Sequence, residues 1–255
     1  MVELNAVYVI VAREFKKFIR ERSRLISTIA RPLVWLFLVG GGMSRLVPAA
    51  GGVTYMQFIF PGILGMTILF SSIFSSISII WDKEFGFMKE ILVAPISRFS
   101  VVVGKATSGM VISTIQAVII LAFFPVLGLS IGVVQAAGIV CVCAVLSFAI
   151  SAFGIIIASV YENYESFSVI MNFIVMPMFF LSGAMYPVKL MPAALQMFTK
   201  INPLTFGIDA LKHLVFPFEK GRMGADFPLL LDLAMIVGSS LLFVVIGGKA
   251  FERKG

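Results

Sequence analysis

Charge is what this 255-residue sequence has least of. Only 13% of its residues are Asp, Glu, Lys or Arg, against about 25% in an ordinary soluble domain, and 60% are hydrophobic. Residues 106 to 161 carry no charged side chain, and an apolar run of that length excludes a water-soluble core and reads as membrane-spanning. Histidine and cysteine are scarce too. His213 stands alone, and Cys141 and Cys143 sit two apart on different helix faces without metal-type spacing, so little material for a metal site is expected. A phosphate-cradling loop is also missing: Gly104-Lys105-Ala106 and Gly248-Lys249-Ala250 lack the earlier Gly and the Ser or Thr after Lys. No cofactor is expected in this chain, and ATP chemistry, if any, belongs to a partner. The runs that read as the four middle spans lack ionisable residues and the last has only Asp232 near one end, which argues against ion-coupled transport.

What remains is apolar sequence in blocks. At about 20 residues per span, residues 106 to 161 hold two helices joined by a turn at 125 to 132, where Pro125, Gly128 and Gly132 break the pattern. Residues 55 to 80, 167 to 186 and roughly 228 to 248 supply three more, and 33 to 44 the core of another that extends toward Arg31 or Arg45. The expectation is an all-α integral membrane protein with six transmembrane helices in a single domain, 1 to 255. Six spans put both termini on one side. Fourteen of the 20 Lys and Arg fall in the segments on that side, so both ends are expected to be cytoplasmic. The net charge of +7 then reflects topology and anionic lipid, and calls for no nucleic acid.

The basic start differs from a signal peptide because it is long and periodic. Leu4, Val7, Tyr8, Val11, Phe15, Phe18, Ile19 and Ile26 recur at helical spacing, with Lys16, Lys17, Arg20 and Arg24 mostly elsewhere on the wheel. Residues 1 to 30 are expected to form an amphipathic helix flat on the inner leaflet, with a bend near Arg31 before Pro32. A charged anchor that only orients the first span is the alternative.

Residues 81 to 98, WDKEFGFMKEILVAPISR, put six charges between two apolar tracts. Phe85, Met88, Ile91 and Leu92 make one stripe, and Lys83, Glu84, Lys89 and Glu90 stay polar, which predicts a short amphipathic helix over 82 to 94, ended before Pro95. Such a helix either rests on the membrane or docks a soluble partner. In the second span Ser72, Ser75 and Ser76 either let helices approach closely or line a polar stripe of a transport path. Three function classes stay open: a transporter subunit, a passive channel or scaffold subunit, and an intramembrane enzyme. The last would pair His213 with Ser72 or Ser182, which demands an improbable fold-back.

Three stretches carry a resemblance: the basic start leading into Ala30-Arg31-Pro32-Leu33-Val34-Trp35; residues 84 to 98; and Leu181-Ser182-Gly183-Ala184-Met185-Tyr186-Pro187 with Ile201-Asn202-Pro203-Leu204-Thr205. In this order on six spans they resemble the permease subunit of type-2 ABC exporters, in the branch of daunorubicin-resistance-like efflux permeases. The resemblance implies a transmembrane subunit that is not itself an enzyme, forms a homodimer, and pairs with two copies of a separate ATP-binding subunit carrying ATP and Mg. It implies an N-terminal elbow helix and a coupling helix between spans two and three. Phe85, Phe87, Met88 and Ile91 would make the buried contact with the ATPase, with Glu84, Lys89 and Glu90 at its rim. It further implies that the outer segment, 183 to 227, folds into short helices dipping back into the membrane; an exposed irregular loop is the alternative. The cargo would be amphiphilic, drug-like or lipid-like, or a glycan.

Overall fold

The computed structural model describes residues 3–47, 52–93, 95–216 and 224–253, without the side chains of Ser23, Arg24, Lys89, Ile91, Leu92, Glu252 and Arg253. The roles expected of the Arg24, Lys89 and Ile91 side chains therefore fall outside the described residues, as do positions 217–223 of the outer segment. The helices are α1 (Leu4–Arg20), α2 (Arg22–Val34), α3 (Gly41–Met43), α4 (Tyr55–Glu84), α5 (Phe87–Val93), α6 (Arg98–Leu121), α7 (Val133–Val160), α8 (Tyr164–Phe180), α9 (Ala193–Thr199), α10 (Pro203–Val215) and α11 (Leu229–Arg253). Among the described residues five stretches are long and apolar enough to cross a bilayer: Leu25–Met43, Tyr55–Glu84, Arg98–Leu121, Val133–Val160 and Leu229–Phe251. The 17 residues of α8 rise about 26 Å, the lower limit of a span. The protein is an all-α, multi-pass membrane protein.

The chain turns from α1 into the first span at Glu21 (φ −85°, ψ 67°), ten residues before the bend expected at Arg31. Pro32 lies inside α2, and a π-helical stretch, Trp35–Gly40, follows that helix. The elbow is thus Leu4–Arg20. The turn expected between the third and fourth spans is present as a 3-10 turn, Phe124–Leu127, closed by left-handed Gly128.

The 30-residue α4 starts with a capping box between Thr54 and Gln57 and forms the buried centre, packed by α6, α7 and α10. Small residues let its neighbours in. A Cβ on Gly109 would strike Ser151, and one on Gly154 would strike Ser76. Across the same seam Ser72 Oγ donates to Ser113 Oγ (3.0 Å) and Ser76 Oγ to the Ser151 carbonyl (3.3 Å). Ser75 stands beside them, its Oγ 3.3 Å from the Cβ position of Gly109. Ser72 and Ser76 are bonded within the close contact of α4, α6 and α7, with half-buried Ser75 beside it, an arrangement that suits close helix approach, the first of the two alternatives.

The bundle has two ends. At one, the elbow end, lie α1, α5 and the junction between α7 and α8. At the other, the far end, Pro187, Pro192 and Pro203 divide the chain into Val188–Leu190, α9 and α10. The last of these is buried between α4, α7 and α11. Gly65 of α4 makes room for it: a Cβ there would come within 2.5 Å of Ile208. From 203 to 215 the far segment is a helix entering the bundle, not an exposed loop.

Candidate functional site

The elbow end is organised by the last turn of α4. Asp82, Lys83 and Glu84 are consecutive, so each points about 100° around the helix from the one before. Each reaches a different neighbour. Asp82 Oδ2 accepts from Lys105 Nζ of α6 at 2.6 Å, and its Oδ1 from Arg13 of α1 at 2.9 Å. Lys83 Nζ donates to the carbonyls of Ala158, Ser159 and Tyr161 (2.7, 3.0 and 3.0 Å), capping the C-terminal end of α7. Glu84 Oε1 accepts from the Tyr164 amide at 2.9 Å, at the start of α8. One helix end thereby grips four others.

Lys105 is the buried hub. Its ammonium donates to Glu14 Oε1 (2.7 Å), Asp82 Oδ2 (2.6 Å) and Ser78 Oγ (3.0 Å), which uses all three of its donors. The side chains of Lys105, Glu14 and Asp82 are 3, 7 and 4% exposed. With Arg13 the group has two positive and two negative members, so desolvation is offset by full pairing. This corrects the expectation that the middle spans lack ionisable residues: α4 and α6 run past the apolar window, and their ends bring Asp82 and Lys105 inside the protein. The elbow is held to the bundle in the same way. Phe18 and Glu14 are buried, a Cβ on Gly104 of α6 would meet Ile10, and the Glu3 amide donates to Ser100 Oγ at 2.9 Å.

From this clamp the chain passes through Phe85 and left-handed Gly86 (φ +80°) directly into α5. Gly permits that φ without a side-chain clash, and it stops α4 at Glu84, so the short helix is Phe87–Val93 and not 82 to 94. Met88 turns inward and joins the core. Phe85 (72% exposed), Phe87 (48%), Glu90 and Val93 face outward. Arg13 lies 6.0 Å from the Phe87 ring centroid and Lys17 Nζ 4.5 Å from that of Trp81, tying α1 to the same corner. Lys16 and Arg20 are exposed on α1, beside Leu4, Tyr8 and Ile19, as a helix at a lipid surface requires.

Residues 5–216 match the family described as ABC-2 type transporter. The chain belongs to that family. Among its relatives, the transport permease ycf38 of Cyanophora paradoxa is 30% identical over 95% of this chain and 85% of its own. Nodulation protein J of Rhizobium meliloti is 25% identical over 83% and 81%, and the multidrug ABC transporter permease YbhR of Escherichia coli is 28% identical over 63% and 44%. The permease is thus the membrane subunit of an ABC transporter, and permeases of this family work with a separate ATP-binding subunit.

Two further features belong to the permease. A groove of about 420 Å³ runs between α2, α4 and α8, lined by Arg31, Trp35, Phe70, Phe74, Met171 and Phe179 among others, with Arg31 stacked 5.1 Å from the Phe70 ring. At the far end Asp209, Lys212, His213, Asp226 and Asp232 converge. Lys212 lies 3.7 Å from Asp209 and 3.5 Å from Asp226, and Asp209 accepts the backbone amides of Asp226 and Phe227 at 2.7 to 2.9 Å. Burial pushes the Asp209 carboxyl above the ordinary carboxylate range, against the pull of Lys212 and of those amides. Asp209, His213 and Asp232 are the metal-type group among the described residues, so folding assembles the cluster that sequence spacing did not suggest. Glu14, Lys105 and Asp82 were missed for another reason: a helical-wheel reading assigns charged residues to solvent. The one available signal was that Lys105 interrupts the small, apolar face of α6 while Glu14 interrupts the apolar face of α1 that carries Val7, Ile10 and Phe18.

Proposed function

We propose that the chain exports an amphiphilic, drug-like or lipid-like cargo as a homodimer with two copies of an ATP-binding subunit. The elbow end then faces the cytoplasm of a bacterial or archaeal cell, with both termini inside. The observation that carries this reading is the direct passage from the clamp of α4 into α5, which presents Phe85 and Phe87 outward. A partner gripping those rings pulls on α4, and through Asp82, Lys83 and Glu84 on α1, α6, α7 and α8 together. The groove between α2, α4 and α8 changes width as a result. It is apolar with a cationic corner at Arg31, which suits an amphiphile, and it opens on the exposed side of α8 at Met176 and Phe180. A second copy facing it would complete the path. The printed name of the Escherichia coli relative, a multidrug permease, is in keeping with such cargo.

The test is pull-down of the ATP-binding subunit, with ATP turnover in lipid vesicles. Phe85→Ala and Phe87→Ala are each expected to cost about 1–3 kcal/mol of association, as central aromatic anchors do, and Glu90→Ala less than about 1. Dimerisation and insertion should be unchanged. Normal partner binding by the Phe85→Ala, Phe87→Ala double variant would mean that α5 only lies on the membrane.

A further inference from the structure

The far-end cluster is not balanced as the elbow-end cluster is. Asp232, in the first turn of α11, is fully buried, and among the described residues neither of its carboxylate oxygens has a hydrogen-bond partner. It is aimed at His213, whose Nε2 lies 3.7 Å from Asp232 Oδ2, and at Asp209, one helical turn before His213 on α10. Ligand atoms of the three residues all lie within 4.8 Å of one another. The other charged groups here are Asp226, which faces Lys212 at 3.5 Å, and Lys189, which reaches Asp226 at 3.8 Å from the exposed edge. Three buried carboxylates thus share one buried ammonium, with exposed Lys189 as a second cation that reaches only Asp226, which leaves the buried set short of positive charge.

We infer that Asp209, His213 and Asp232 bind a divalent transition cation of the zinc class, fastening α10 to the start of α11. One imidazole nitrogen and two carboxylate oxygens, with water completing four positions, is a donor set that Zn²⁺ accepts, whereas Ca²⁺ and Mg²⁺ prefer oxygen alone. In a tetrahedral zinc site neighbouring ligand atoms are roughly 3.3 Å apart, so the 3.7 Å between His213 and Asp232 needs only a small closure. His213 is 31% exposed and supplies the way in. Its Nε2 now lies 2.8 Å from the Phe227 carbonyl, and coordination through that nitrogen exchanges this bond for the metal. Asp209 accepts three hydrogen bonds from the Asp226 and Phe227 amides and retains a lone pair for the ion while staying oriented by them. A divalent ion brings the buried set to neutrality.

The experiment uses the tag-free full chain in lipid nanodiscs, stripped with chelator and carrying Cys141→Ser and Cys143→Ser so that no thiol competes. Calorimetric titration with Zn²⁺ should show one ion per chain, and Co²⁺ should give a visible d–d absorption band. Asp232→Asn and His213→Gln should each weaken binding by more than about tenfold. Zn²⁺ should raise the melting temperature of the parent and not of the variants. His213 is partly exposed, so its variant reports even if the Asp232 variant folds poorly. Sub-stoichiometric uptake, uptake unchanged in both variants, or equal competition by millimolar Mg²⁺ or Ca²⁺ would each overturn the assignment.

Discussion

The two ends of the permease solve one problem in opposite ways. At the elbow end Arg13, Glu14, Asp82 and Lys105 come from three helices and close on one another, each at 2.6 to 2.9 Å from an opposite charge. At the far end Asp209, Lys212, Asp226, His213 and Asp232 come from α10, α11 and the chain between them, at 3.5 to 3.7 Å, with both oxygens of Asp232 unbonded. A short, balanced set behaves as a fastener, because any rearrangement strands a buried charge. A looser set, with more buried carboxylates than ammonium groups, is held less firmly and can rearrange with less loss. The difference fits a transporter in which force enters through a stiff corner and the opposite end must open.

The largest effect should come from the fastener. Lys105→Met leaves Glu14 and Asp82 buried side by side with only half-exposed Arg13 to answer them. It should cost about 3–5 kcal/mol, read as a loss of thermal stability in detergent. Replacing the set together, as Glu14→Gln, Asp82→Asn and Lys105→Met, should recover most of that loss, since a buried ion set exchanged for neutral groups is often near neutral in stability. The recovered protein sharpens the comparison: if it binds the ATP-binding subunit but no longer couples turnover to cargo, the charges transmit motion and do not merely hold the fold. A Lys105→Met protein as stable as the parent would mean that the corner is not a fastener at all.

At the far end the sign reverses. Asp232→Leu removes a buried, unbonded carboxylate that adds to the negative charge of Asp209 and Asp226, and puts an aliphatic group of similar size in its place. In the presence of chelator it should stabilise the protein by about 1–3 kcal/mol, the usual cost of an unsatisfied buried polar group. Adding Zn²⁺ should shrink or invert that difference, because only the parent retains the full ligand set. Destabilisation by Asp232→Leu under chelator would show that the far-end cluster is already satisfied, and the contrast between the ends would fall.

Much of the architecture was legible because it follows from local physics: apolar blocks of span length and the turn within 125 to 132. The short helix before Pro95 was legible too, although its start was placed five residues early, since the charges at 82 to 84 look alike whether they end a span or begin a surface helix. Pro32 misled because it is carried inside α2 and does not open a new helix, so the bend falls at Glu21. The candidate site was half legible. Phe85 and Phe87 are exposed, as an apolar contact surface needs, but Met88 is spent on the core and Glu84 on the start of α8. Pairings across 91 residues, as between Glu14 and Lys105, or brought about by a helix folding back, as between His213 and Asp232, leave no periodic trace.

The smallest effect should be at Arg13, and it tests whether burial separates fastener from ornament. Arg13 and Lys105 both bond Asp82, at 2.9 and 2.6 Å, so distance alone would make them near equals. Their surroundings differ: the Arg13 side chain is 45% exposed and that of Lys105 is 3%. Water already screens much of what Arg13 contributes, and Asp82 keeps Lys105 when Arg13 is gone. Arg13→Ala should therefore cost less than about 1 kcal/mol of stability, and the loss should shrink further as salt is raised. Its effect on coupling should be larger than its effect on folding, because its guanidinium also lies over Phe87 and so joins α1 to α5. Thermal melting at two ionic strengths, beside ATP turnover with and without cargo, separates the two effects. If Arg13→Ala destabilises the protein as much as Lys105→Met does, the corner works as one undivided charge network, and burial does not decide which of its members matter.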